Sequence, residues 1–233
     1  MGIIIDDPRL RDKRFVFTDR HDAGKKLGAL IKSLRLLQEQ EVIAIPAGGV
    51  PVGVEIARIL RAPISLAIVR KIQVPGNTEA GFGAVSWDGH VLINEQLRAT
   101  LGLSQYEVDT AIAATRQNVR DRIARYTAGR PFPDLKKKCV ILTDDGLASG
   151  YTMLAAITSI LTMHPERVIV AVPTSSASSA ERIAREVDEV ICLNIRSGQR
   201  FAVAEAYRQW YDLDDREVIA ELGSVKDWYG QPV

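Results

Sequence analysis

The chain has 233 residues, 46% of them hydrophobic and 25% charged, a balance that fits a globular protein and argues against a fibrous or disordered one. Thirty Lys plus Arg against twenty-nine Asp plus Glu leave a net charge of +1, so the bulk charge gives no reason to expect nucleic acid as a partner. No apolar run approaches the roughly 18 residues of a membrane span, and no charged, apolar and cleavable series marks a signal peptide, so neither membrane insertion nor export is expected.

The first predicted element is an amphipathic helix over residues 17–37. Ala23, Leu27, Leu30, Ile31, Leu34 and Leu37 share one face, and Thr18 or Asp19 stands at the N-cap. A strand over 42–46, a Gly-containing turn and a second helix follow, with Pro51 suited to a first helical position and Val52, Ile56, Ile59 and Leu60 pointing inward. The run 64–69 is continuously apolar, as strands covered on both faces tend to be. Residues 71–94 are rich in glycine and turn formers, and Asp88-Gly89 between two β-prone runs predicts a hairpin. Ser104 and Glu107 form a capping-box pattern ahead of a long helix carrying Val108, Ile112, Val119, Ile123 and Tyr126, which Gly129, Pro131 and Pro133 end.

Three more apolar runs, 139–143, 168–172 and 189–193, alternate with helical patterns at 153–161 and 179–187. Such alternation specifies an α/β fold, a mostly parallel sheet flanked by helices. Without an internal repeat or a low-complexity linker, residues 1–233 read as one domain. Cys139 and Cys192 each sit in an apolar run, the setting of buried reduced thiols, and a cytoplasmic location is expected.

The chemistry concentrates in "VILTDDGLASGYTM". In an open parallel sheet, ligands bind beyond the carboxyl ends of the strands, where loops enter helix N-termini. Asp144 and Asp145 emerge at such an end, and the backbone N–H groups of Gly146, Leu147, Ala148, Ser149, Gly150, Tyr151 and Thr152 are expected to converge on a phosphate above the next helix. Two carboxylates beside a phosphate cradle make sense if they accept hydrogen bonds from sugar hydroxyls or share a divalent cation with the ligand. The chain contains no G-x-x-x-x-G-K-[ST], so a P-loop is excluded, and its glycine clusters do not fit G-x-G-x-x-G. The histidines His21, His90 and His164 show no metal spacing.

These fourteen residues resemble the phosphoribosyl diphosphate (PRPP) motif of type I phosphoribosyltransferases, and "FTDRHDAGKKLG" resembles the opening of a poorly characterised branch of that family. The resemblance implies a family core over about 42–193, with an additional N-terminal helix and a C-terminal hood drawn from 201–215. It implies that Asp144 and Asp145 engage the ribose hydroxyls and, directly or through ribose or water, Mg²⁺, and that residues 146–152 hold the 5-phosphate. Ala47, Gly48 and Gly49 would hold pyrophosphate, and Arg70 and Lys71, at the end of the 64–69 strand, would stand near pyrophosphate or at a homodimer interface. A flap within 73–86 would cover the reacting centre, and Tyr207, Trp210 and Tyr211, at helical spacing, could stack on a base. The expected activity is transfer of phosphoribose from PRPP to a nucleobase-like nitrogen acceptor. A PRPP- or nucleotide-sensing protein without turnover and a phosphosugar hydrolase are the rival expectations. Where 6-oxopurine enzymes usually carry an Asp, this chain has Ala148, which points toward adenine, orotate or uracil forms of the motif.

Overall fold

The computed structural model describes residues 2–127, 131–198 and 200–225, without the side chains of Thr78 and Glu79. Gly129, expected to help end the long helix, lies outside the described residues. The elements run β1 (Ile3–Asp6), α1 (Arg20–Ser33), β2 (Gln40–Ala44), α2 (Gly49–Leu60), β3 (Ile64–Leu66), β4 (Arg70–Val74), β5 (Asn77–Val85) and β6 (Val91–Ile93). They continue with α3 (Glu95–Thr100), α4 (Gln105–Thr127), β7 (Cys139–Thr143), α5 (Tyr151–Leu161), β8 (Arg167–Ser176), α6 (Ala177–Ile183), β9 (Glu189–Arg196), a 3-10 turn at Val203–Ala206, and α7 (Asp215–Gly223).

Six strands form one all-parallel sheet in the order β1-β9-β8-β7-β2-β3. Alternation along each central strand feeds two cores. Val42, Ala44, Cys139, Ile141, Ile169 and Ala171 face α1, α2 and α7, while Ile43, Val140, Leu142, Val168 and Val170 face α5 and α6. This parallel α/β architecture is the one the sequence pattern specifies. Both cysteines are free and fully buried, and burial pushes the Cys139 thiol up to about 11, so it stays protonated and inert.

Several boundaries differ from the sequence reading. Asp19 does cap α1, accepting from the Asp22 N–H at 2.8 Å, but the helix stops at Leu34, Arg35 turns to φ +52°, and Leu37 is 95% exposed instead of on the apolar face. In α2, Pro51 is the third residue rather than the first. Strand β3 ends at Leu66, so Arg70 and Lys71 do not close it; they open β4, the first strand of a separate antiparallel sheet in the order β4-β5-β6. The Asp88-Gly89 hairpin and the Ser104–Glu107 capping box are both present.

Residues 73–86, the expected flap, lie largely in the β4–β5 part of that second sheet, and only part of it is open. Ile72, Phe82, Ala84 and Val85 are buried, whereas Pro75, Gly76 and Asn77 at the tip are exposed. A polar clamp fixes its root. The buried Ser86 and Ser159 hydroxyls lie 2.8 Å apart, and both donate to Asp88, at 2.6 and 2.9 Å. A bulge around Gln73 interrupts the β4–β5 register beyond that root.

At the other side, His21 lies between Glu55 at 3.1 Å and Glu221 at 2.9 Å, linking α1, α2 and α7. The hydrogen bond His21 donates to Glu221 leads in raising the His21 pKa above 6.5, opposed by burial and helped by the charge of Glu221 and by Glu55.

Candidate functional site

Strand β7 is buried along its whole length, and its carboxyl end delivers Asp144 and Asp145 side by side. Asp144 turns one oxygen back to accept the Asp145 N–H at 2.8 Å. Burial pushes the Asp144 carboxyl well above the usual carboxylate range, and the charge of Asp145 adds to the rise. Burial raises Asp145 as well, opposed by the charge and hydrogen bonds of Arg20 and reinforced by the nearby Asp212.

The loop after the acids leaves fewer backbone amides unpaired than the sequence suggests. The Leu147 side chain is in the core and its N–H donates to the Thr174 carbonyl at 2.9 Å, so Leu147 leaves the expected set. Ser179 and Ser176 donate to the Ala148 carbonyl and Arg182 donates to the Ser149 carbonyl, drawing those oxygens toward α6. Among the described residues, the N–H groups of Ala148, Ser149, Gly150, Tyr151 and Thr152 have no partner. Gly150 makes the turn into α5 at φ +76°, a conformation that suits glycine. Unpaired amides at the start of an 11-residue helix are the kind of group that suits an anion.

The loop between β2 and α2 meets the acids from the adjacent strand. The Pro46–Ala47 peptide is cis. A β-carbon on Gly48 would stand 1.9 Å from Asp145 Oδ2, and one on Gly49 would stand 2.8 Å from the Asp144 Cα, so a side chain at either position would force a neighbour to move. The Gly49 N–H is engaged by the Ile45 carbonyl at 3.0 Å, and among the described residues those of Ala47 and Gly48 are unpartnered. Two of the three expected donors are therefore available.

Arg70 and Lys71 follow the carboxyl end of β3 in the chain and open β4. Burial lowers the Arg70 pKa, and the nearby charge of Arg122 on α4 adds to it. The Lys71 stem covers Gly81 on the neighbouring strand, where a β-carbon would stand 2.2 Å from its Cγ.

The aromatic trio is not helical; it follows the 3-10 turn in irregular chain. Tyr207 offers no stacking surface: it is 1% exposed, its hydroxyl donates to the Asp145 carbonyl at 2.6 Å, and its ring packs against Phe17 and Trp210. Trp210 carries the guanidinium of Arg20 at 3.9 Å from its ring centroid, and Tyr211 is 57% exposed. Sequence reasoning missed Arg20. It is buried in the first turn of α1, donates to Asp145 Oδ2 from Nε at 3.0 Å, pairs with the same oxygen through Nη2 at 2.9 Å, and donates from Nη1 to the Tyr211 carbonyl at 2.8 Å. The only available signal was an arginine inside the "FTDRHDAGKKLG" opening.

Among the described residues, no group of three or more His, Cys, Asp or Glu is placed to share a metal ion. Two carboxylates, one with an oxygen engaged by Arg20, suit a Mg²⁺ that takes most of its ligands from a substrate and water. Hydroxyl-accepting acids, an amide cradle and a second amide loop together can hold a phosphorylated sugar at several points.

A family model for the phosphoribosyl transferase domain matches residues 17–208. Two relatives from Mycobacterium tuberculosis, strains CDC 1551 / Oshkosh and ATCC 25618 / H37Rv, both provisionally named phosphoribosyl transferases, are 33% identical over 207 residues, 89% of this chain and 46% of theirs. The chain thus spans about half the length of the curated relatives it matches. The crystal structure of the TT1426 protein from Thermus thermophilus is similar at a TM-score of 0.73 and 34% identity, covering 91% of this chain and 99% of that one.

Proposed function

Because the chain belongs to the phosphoribosyltransferase family, we propose that it transfers a 5-phosphoribosyl group from PRPP to a nitrogen acceptor, a nucleobase by class, with release of pyrophosphate. One observation carries the reading: Asp144 and Asp145 stand between two sets of unpaired amides, those of residues 148–152 and those of Ala47 and Gly48. The first set suits the 5-phosphate, the acids suit the ribose hydroxyls, and the second suits the pyrophosphate end. Arg70 and Lys71 are the proposed cations for the departing charge, a reading that rests on their order in the chain after β3.

In the proposed reaction the bond from the sugar C1 to the pyrophosphate oxygen breaks and a bond from C1 to the acceptor nitrogen forms, the nitrogen giving up its proton. Loss of pyrophosphate leaves an oxocarbenium-like sugar, so the protein needs no nucleophile. Its residues hold both ends of the substrate and stabilise the charge that develops on the leaving group. Asp144 and Asp145 would hold Mg²⁺, directly or through ribose and water, and the ion would neutralise charge on the diphosphate. The exposed tip of the β4–β5 hairpin is the part suited to cover the cleft and exclude water. Residues 1–233 are proposed to act as one such unit, in the cytoplasm and as a homodimer.

Pyrophosphate release with PRPP, Mg²⁺ and a panel of nucleobases tests the proposal. Release dependent on one base supports it, and release with water alone across the panel would replace it with hydrolysis. A PRPP- or nucleotide-sensing protein is the second reading, favoured by Ala148, which puts no candidate base where related enzymes carry an acid. Tight PRPP binding without release for any base would select it.

A further inference from the structure

We propose that Arg20 is a positioning residue that ties the ribose side of the cleft to its acceptor side, fixing the Asp145 carboxylate with one edge while holding residues 207–211 with its face and its remaining edge. The names of the two sides rest on the phosphoribosyl reading above; the linkage rests on geometry alone. Arg20 is 7% exposed, and an arginine so buried requires partners for its charge and its donors. It finds three kinds. Nε and Nη2 both meet Oδ2 of Asp145, which leaves Oδ1 open to another donor. Nη1 meets the Tyr211 carbonyl at 2.8 Å, and the guanidinium plane lies 3.9 Å from the Trp210 centroid. Tyr207 closes the circuit from behind through its hydrogen bond to the Asp145 carbonyl.

The arrangement makes residue 145 and residues 207–211 one mechanical unit. A ligand that draws the Asp145 carboxylate toward itself moves Arg20, and Arg20 carries the indole of Trp210 and the carbonyl of Tyr211 with it. Coupling between two binding events is reciprocal, so a planar acceptor held near Trp210 would change PRPP affinity by the factor by which PRPP changes its own. An ion pair this buried is a costly way to pack a helix end, and apolar side chains often serve stability equally well. Its place at the carboxylate between the two amide sets is where a fixed cation serves ligand binding.

The test begins on ligand-free protein. Arg20→Met is expected to free Trp210 and Tyr211 from their anchor, read as a shift in Trp210 emission and a rise in its quenching by acrylamide, both identified by difference against Trp210→Phe, with Arg20→Lys recovering part of the change. Calorimetry with PRPP and Mg²⁺ is expected to show affinity weakened about tenfold or more in Arg20→Met. The Trp210 emission change on PRPP addition is expected to vanish in Arg20→Met. Should Arg20→Met fail to fold, Arg20→Lys carries the comparison, because it keeps the charge and loses the guanidinium fork. Unchanged ligand-free Trp210 emission in a folded Arg20 variant would overturn the proposal, as would an undiminished Trp210 response to PRPP. If no variant and no wild-type protein binds PRPP, the phosphoribosyl reading falls, while the ligand-free emission still decides the role of Arg20.

Discussion

Gly48 sits so close to Asp145 that a single added carbon would enter the space of the carboxylate, 1.9 Å from Oδ2. Gly48→Ala must therefore displace either the loop or the acid, and displacing the acid breaks its ion pair with Arg20. The expected result is a loss of PRPP affinity of about tenfold or more, with a stability cost of about 1–3 kcal/mol for overpacking. Calorimetry and thermal melting check both, and an unchanged dissociation constant would remove Asp145 from the binding site.

Asp144 and Asp145 are expected to respond in opposite ways to neutralisation. The folded-state pKa of Asp144 is raised, so its contribution to stability is present below the unfolded value and is lost as pH climbs through the folded one. Above the unfolded value the raised pKa makes this acid count against the folded state of the ligand-free protein, and Asp144→Asn should hold or raise the melting temperature while weakening PRPP binding. Asp145→Asn instead strands the buried Arg20, at a cost of about 3–5 kcal/mol. Melting curves of the two variants at pH 7 decide, and equal shifts would contradict the assignment of Arg20 to Asp145.

His21 supplies a pH dependence of the opposite partner type. Its pKa is raised, first through the hydrogen bond with Glu221, so the stability it contributes is complete below 6.5 and disappears as pH rises through the folded value. With the side chain 37% exposed, solvent screening limits the effect to less than about 1 kcal/mol. His21→Gln should flatten the alkaline side of a plot of melting temperature against pH in that window. An identical slope in the variant would show that the ring is not charged between its two glutamates.

Gly150 isolates backbone strain from crowding. Its φ is +76°, yet the nearest atom to an added β-carbon is 3.6 Å away, so nothing collides. Gly150→Ala should cost about 1–2 kcal/mol from the left-handed conformation alone. Urea denaturation reads that loss, and a stability equal to wild type would mean that the cradle relaxes to another turn.

How much of this could be read in the sequence depended on how local each signal was. The buried parallel strands β7, β8 and β2 advertise themselves as short apolar runs, and the twin acids, small-residue loop and helix keep their order in space because they are contiguous. Strand β1 and α7 were missed. Four residues at a sheet edge carry little pattern, and the capping box of Asp214 and Glu217 runs past the end of the 201–215 stretch, whose aromatic residues dominate its reading. Tyr207 misled because side-chain type does not reveal which way a ring faces: it is the chain's fold around Phe17 that buries it. Arg20 could not be placed from sequence at all, since its partners lie 125 and 191 positions away.

The clamp of Ser86, Asp88 and Ser159 has a consequence for how the cleft shuts. Ser159 lies eight residues beyond Tyr151, roughly 12 Å along the same rod whose front amides face the proposed phosphate. The hairpin is thereby anchored to the rear of that rod and cannot swing from its base. In the proposed reaction any closing stroke would have to arise farther out, at the irregular pairing around Gln73, with the foundation of the ribbon staying still.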